Sequence, residues 1–228
     1  MGTPILTLAH GSDHIIEKPV YGAGKPYNDY GLGFYCTESV DMAKEWGVSE
    51  DRDGYANIYH LDTTGLTLLD LNGPSFCILH WLAVLLENRT FTLQSGLAAE
   101  ARAYIRENFL VEVNAYDLIK GYRADDSYFS FAQDFLNGAI SYRQLSEAMR
   151  LGKLGQQIVL KSPASFERIQ YVGYEVAERE IWYPRKRVRD STARNEYSTN
   201  KKLRRQKGDL YIAAILDTEM KPDDPLLQ

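Results

Sequence analysis

One stretch of the chain has residue types and spacing suited to a flat ligand. "NDYGLGFYCTESVDMAKEWG" (28–47) sets Gly31 and Gly33 before Phe34 and Tyr35, and follows them with a short amphipathic run ending on Trp46. Glycines in front of an aromatic allow a close backbone approach. The two large aromatics form either a clamp on a planar ring or a pair of core side chains. The Gly-x-Gly step also invites a dinucleotide-binding reading, but that fingerprint requires strand, glycines, then helix. Here the glycines lead into a strand, so that reading fails on context. His10 closes "ILTLAH" and precedes Gly11-Ser12; it is a satisfied structural histidine or a hydrogen-bonding group of a site. Asp125 and Asp126 in "RADDSYF" (123–129) offer carboxylates for acid–base chemistry, or a cap for the helix that follows. His14, His60 and His80 lack partners at ligand spacing, and Cys36 and Cys77 make neither a disulfide framework nor a metal cluster.

These residues need elements to position them. "ILTLAH" (5–10) reads as a first strand, 13–32 as a loop punctuated by Pro19, Gly22, Gly24 and Pro26, and "GFYCT" as a second, short strand. Ser39 or Thr37 can cap a helix to about Trp46, with Asp41 in its first turn. Strands follow at 56–62 and 66–71, then helices at about 75–89 and 96–108. A strand at 116–123 precedes helices at about 127–137 and 141–151, a buried strand at 155–162, a short helical connection, and a strand at 170–177. The segment 179–207 has helical character, and 209–217 suits a strand or a helix. This pattern is one mixed α+β domain over residues 1–177 with a basic helical extension, 178–228, packing on or beside it.

With 228 residues, 44% hydrophobic and 25% charged, the chain can bury a sizeable core. Its longest apolar run, "CILHWLAVLL", is too short for a membrane span. No secretory signal is read in "MGTPILTLAHGSD", so a cytoplasmic location is expected. The net charge of −5 hides an asymmetry: 185–207 holds ten Lys/Arg against two acids. That segment is a solvated helix lying against an acidic body, or a footprint for a polyanion.

"AHGS", "YGLGFY" and the helix after them resemble the NAD-binding core of the ADP-ribosyltransferase superfamily, in its histidine-tyrosine-glutamate branch (the poly(ADP-ribose) polymerase and diphtheria-toxin type). In the polymerases of that branch the second stacking aromatic falls thirteen residues after the second glycine, and Gly33 plus thirteen is Trp46. From His10 to about Ile169 the layout is similar to an uncharacterised bacterial family of domain-of-unknown-function proteins in this branch, with "HGS", "GxGFY", "ADD" and "QIV" in that order. The fold this implies is a split antiparallel β core with flanking helices.

The resemblance implies a site, with NAD as co-substrate and no metal. Gly11 would meet the nicotinamide carboxamide with its peptide edge. His10 and Ser12 would bond ribose hydroxyls, and Tyr35 and Trp46 would sandwich the pyridine ring, with Gly33, Phe34 and Ala43 beside them. Tyr27, in the loop 21–30, and Arg123 are expected to contact the rest of the cofactor, Arg123 at a phosphate. The reaction would break the nicotinamide–ribose bond through an oxocarbenium-like transition state, which a carboxylate stabilises. Here the chain departs from the family: anchoring on Ile158-Val159 puts Gln156 at the glutamate position, and the arginine-serine-glutamate branch would select Gln157. Side chains alternate along a strand, so one of the two at most faces the site. Asp125 and Asp126 are possible substitute acids. The expected activity is mono-ADP-ribosylation of a macromolecular acceptor, protein or nucleic acid, with a toxin or defence role and an inhibitory antitoxin-like partner by association. NAD hydrolysis and an inactive NAD-binding module are the alternatives.

Overall fold

The computed structural model describes residues 5–92, 95–124, 126–149, 155–202 and 206–227. Among them the chain forms seven strands and eight α-helices, a mixed α+β architecture built on two sheets.

The first sheet has the order β1-β3-β7: β1 (Ile5–Ser12), β3 (Gly54–Asp62) and β7 (Ile169–Ala177), all antiparallel. The second has the order β2-β6-β5-β4: β2 (Phe34–Cys36), β6 (Gln156–Leu160), β5 (Leu118–Tyr122) and β4 (Leu68–Asp70). The expectation of an antiparallel core is corrected at one place, because β4 pairs with β5 in parallel. A three-residue strand holds too few side chains to reveal its direction in the sequence.

Among the described residues the sheets are joined by one bridge. Ala9 N–H donates to the Thr37 carbonyl at 2.8 Å, and Thr37 N–H donates to the Ala9 carbonyl at 2.9 Å. Beyond it, among the described residues, no ladder pairing joins the last residues of β1 to the first of β2. Below it, Leu8 and Leu61 of one sheet pack against Cys36, Leu118, Ile158 and Leu160 of the other. Alternation sends Ile119 and Val159 to the opposite face, where helices cover them. α2 (Ile78–Asn88) is buried continuously from Ile78 to Leu86, as an all-round apolar helix must be. α3 (Gly96–Phe109), α4 (Asp126–Leu136) and α5 (Tyr142–Ala148) complete this layer.

α1 (Val40–Gly47) lies on the first sheet. Ser39 rather than Thr37 caps it, its Oγ accepting from Met42 N–H at 3.2 Å. A Cβ on Gly11 would stand 2.0 Å from the Ala43 carbonyl oxygen, so glycine is what lets strand and helix touch.

The C-terminal segment packs on the body. α7 (Arg179–Lys201) turns one face inward at Trp182, Lys186, Arg189, Ala193 and Tyr197, a three-and-four spacing. Arg189 clasps Glu45 of α1 through two hydrogen bonds of 2.7 and 2.8 Å, and Tyr197 stacks on Phe131 at 3.6 Å. Ile212 and Ile215 of α8 (Ile212–Asp217), Met220 and Leu227 complete the main core, so 209–217 is in part a helix and not a strand. No helix among the described residues is long and apolar enough to cross a membrane.

Candidate functional site

Where the two sheets separate, a cleft of about 740 Å³ opens, a size typical of small-molecule sites (roughly 300–1,000 Å³). Its lining takes in residues of β1 and β2, and its rim is formed by residues 14–20, 22–24 and 28–29.

His10 stands at the split. Its Nδ1 lies 2.7 Å from the Tyr35 carbonyl oxygen, which can only accept, so Nδ1 carries the proton and Nε2 keeps a lone pair. The ring stacks on Phe34 with centroids 4.4 Å apart. Burial lowers the His10 pKa, partly offset by the bond to Tyr35, and so disfavours the charged imidazolium. Alternation turns the N–H and C=O of Gly11 to the edge that Ala9 uses on Thr37. Past the bridge, that peptide edge faces the cleft.

Tyr35 extends from β2 over the core face shared with Val159. Its hydroxyl donates to the Gly31 carbonyl at 2.6 Å and accepts from Tyr30 N–H at 3.0 Å, so it also fastens the loop before it. Gly31 holds a positive φ of 73° in that turn. A Cβ on Gly33 would lie 2.6 Å from Val159 Cγ1 and 2.8 Å from the Leu160 carbonyl. The glycines therefore serve the pairing of β2 with β6 as well as the cleft. Trp46 also lines the cleft, and its ring meets the Arg123 guanidinium at 4.6 Å. Among the described residues no ring contact joins Tyr35 to Trp46; Tyr35 pairs with Tyr30 at 6.5 Å.

Of the two glutamines, Gln157 lines the cleft. Gln156 sits opposite Tyr122 on the alternate side of β6 and is outside the lining. Gln157 donates from Nε2 to Asp29 Oδ2 at 3.0 Å, and Ala124 N–H donates to the same oxygen at 2.8 Å. Asp29 is 6% exposed, and its other oxygen is 3.5 Å from the Arg89 guanidinium. Burial pushes its carboxyl above the usual carboxylate range, against the pull of these bonds and of Arg89 and Arg123.

Thus His10, Gly11, Gly33, Phe34, Tyr35, Trp46, Arg123 and Gln157 come together. Four expected residues do not line the cleft. Tyr27 is 73% exposed on the outside of its loop. Ala43 is buried beneath Gly11. Ser12 Oγ donates to the His14 carbonyl and accepts from Asn57 Nδ2 at 2.9 Å, which commits it to holding the rim. Gln156 is the fourth. Asp125 lies outside the described residues, and Asp126 is the first residue of α4.

Asp29, Arg89 and Asn57 carry no signal of the cleft in the sequence, and His14, expected to be structural, lies on its rim. Asp29 sits among turn formers and Arg89 just beyond a helix end, where both look like ordinary punctuation. Fully buried Asn57 accepts from Ile16 N–H and donates to the Ser12 hydroxyl, and Tyr59 donates to the Ile16 carbonyl; together they fix the rim. His14 lies on that rim beside Asp13, with Nδ1 2.7 Å from the carboxylate. Among the described residues no group of three or more His, Cys, Asp or Glu is placed to hold a metal ion.

A family model described as "Protein of unknown function (DUF3990)" matches residues 6–171, which include every residue lining this cleft. No curated protein and no solved structure matches the chain.

Proposed function

We propose that this chain, which belongs to the DUF3990 family, binds NAD in the cleft and transfers its ADP-ribose to a macromolecular acceptor. The observation that carries the reading is the convergence of His10, Gly11, Tyr35, Trp46 and Gln157 from β1, β2, α1 and β6 at the split between the sheets.

The Gly11 peptide edge offers one donor and one acceptor, which suits a carboxamide. The nicotinamide ring lies between Tyr35 and Trp46, each aromatic face adding about 0.5–1.5 kcal/mol beyond burial. His10 Nε2, held as an acceptor by the bond at Nδ1, takes a ribose hydroxyl. Arg123 and Arg89, both on the lining, balance the pyrophosphate charge. In the reaction the bond between ribose C1′ and the pyridinium nitrogen breaks, and its electron pair leaves with neutral nicotinamide. The acceptor's lone pair then bonds to C1′ and the acceptor gives up its proton. The Gln157 carbonyl oxygen is the nearby acceptor for a ribose hydroxyl as positive charge develops.

The test follows free nicotinamide on incubating the protein with NAD, with and without a cell extract. Transfer predicts release that rises with the extract and leaves ADP-ribose on a macromolecule. Release unaffected by extract, with free ADP-ribose as product, would replace transfer by hydrolysis. Tight NAD binding without release would leave a binding module, the reading favoured by an amide at position 157.

A further inference from the structure

Among the described residues, Asp29 is the one cleft-lining carboxylate that the fold buries, and its contacts fix a neighbour's orientation. A carboxylate is acceptor-only, so the Gln157 amide must turn its NH₂ to Asp29. The amide carbonyl then points away from Asp29, to the cleft that Gln157 lines. The loop carrying Asp29 is itself tied down. Tyr35 holds Tyr30 and Gly31, Lys161 Nζ donates to the carbonyls of Tyr30 at 2.8 Å and Leu32 at 2.6 Å, and Asn88 Nδ2 donates to the Asp29 carbonyl at 3.4 Å.

Resting on the NAD reading, we infer that Asp29 is a positioning residue that locks Gln157 with its carbonyl toward the ribose and sets one negative charge behind it. The two side chains together replace a single glutamate. A hydrogen bond from the amide N–H to a carboxylate polarises the amide and increases the negative character of its oxygen. Such an oxygen both accepts a ribose hydroxyl and sits favourably beside the oxocarbenium ion. The arrangement separates charge from contact: the charge is on the loop before β2, and the contact is on β6. It also explains a buried acid 128 residues away from its partner in the sequence.

The groups facing Asp29 are the guanidinium groups of Arg89, just after α2, and Arg123, between β5 and α4, with the phenols of Tyr30 and Tyr35. His10 and His14 lie elsewhere on the lining, and Glu17 and Lys18 on its rim. Because burial raises the Asp29 pKa, its charge is lost on acidification sooner than that of an exposed aspartate. Turnover should fall with it.

The experiment uses the full chain, wild type, Asp29→Asn, and Asp29→Asn with Gln157→Glu. NAD affinity is read by calorimetry and nicotinamide release across pH 4.5 to 8. Asp29→Asn is expected to hold NAD within about threefold of wild type, to lose tenfold or more in kcat, and to lack the acidic limb of the kcat profile. Moving the charge to position 157 in the double variant should recover at least threefold of that loss. Unchanged kcat in Asp29→Asn, or a double variant no better than the single one, overturns the inference. A second readout does not need turnover: in ¹⁵N spectra the wild-type Gln157 side-chain amide should exchange slowly and shift as Asp29 titrates. A fast-exchanging, pH-independent amide also overturns it. A wild type that binds no NAD while this amide behaves as expected removes the NAD reading and leaves the Asp29–Gln157 lock standing.

Discussion

His10 on β1 and Tyr35 on β2 are joined through a 2.7 Å contact between the imidazole Nδ1 and the tyrosine carbonyl, across the line where the two sheets part. The bond fixes the histidine tautomer, and it holds the first residues of β2 against β1 where ladder pairing has ended.

This bond has a pH signature. Burial holds His10 below its ordinary pKa. As pH falls through about 6.5, the unfolded chain takes up a proton that the folded chain refuses, so stability is lost on acidification. Urea denaturation at pH 7.5 and 5.5 should show a smaller loss between the two values in His10→Asn than in wild type. Equal losses would mean that His10 does not titrate differently on folding.

Tyr35 serves both the core and the cleft, and two substitutions separate these roles. Tyr35→Phe keeps the ring but removes the hydroxyl bonded to Gly31 and Tyr30. The expected cost is about 1–3 kcal/mol in urea denaturation, with NAD affinity changed only severalfold. Tyr35→Ala also opens a cavity beside Tyr30 and Val159 and should cost about 3–5 kcal/mol. A Phe variant as stable as wild type would show that the loop is held by other bonds.

Gly11→Ala should be poorly tolerated for a reason unconnected with any ligand. The new methyl would meet the Ala43 carbonyl oxygen at 2.0 Å and the Gly47 nitrogen at 2.7 Å, both backbone atoms of α1. A loss of about 3 kcal/mol is expected. At Gly173, where nothing lies within 4 Å of the added Cβ, alanine should stay within about 0.5 kcal/mol of wild type. The two melting curves compare directly.

Arg189→Ala would leave the Glu45 carboxylate, 5% exposed, without its two-bond partner. Breaking such a pair costs about 3–5 kcal/mol when fully buried. With Arg189 itself 26% exposed, about 2–3 kcal/mol is expected, and a double-mutant cycle with Glu45→Ala should show strong coupling. Additive losses would mean that α7 is held by its apolar face alone.

Local signals carried much of this structure. The serine caps, the apolar run of α2 and the alternation in β3 are each set by neighbours within a few residues, and the predicted elements match them closely. Tyr35 and Trp46, which the family resemblance and not a local signal singled out, both line one cleft. What stayed illegible was set by distant pairing. Asp29 reads as a turn former until Ala124 and Gln157, 95 and 128 residues away in sequence, are seen to donate to it. The choice between Gln156 and Gln157 needed the register of β6 against β5. α7 looks like a solvated basic helix because its inward face is thinly spread among charges: Trp182, Ala193 and Tyr197 over 23 residues.

The central claim is that the split between the sheets is an NAD site, and calorimetric titration of NAD into wild type and Trp46→Ala tests it most directly. The account predicts saturable one-to-one binding to wild type and at least tenfold weaker binding to the variant, about 1.4 kcal/mol. Absence of binding to folded wild type at millimolar NAD, or equal affinity in the two proteins, would contradict it.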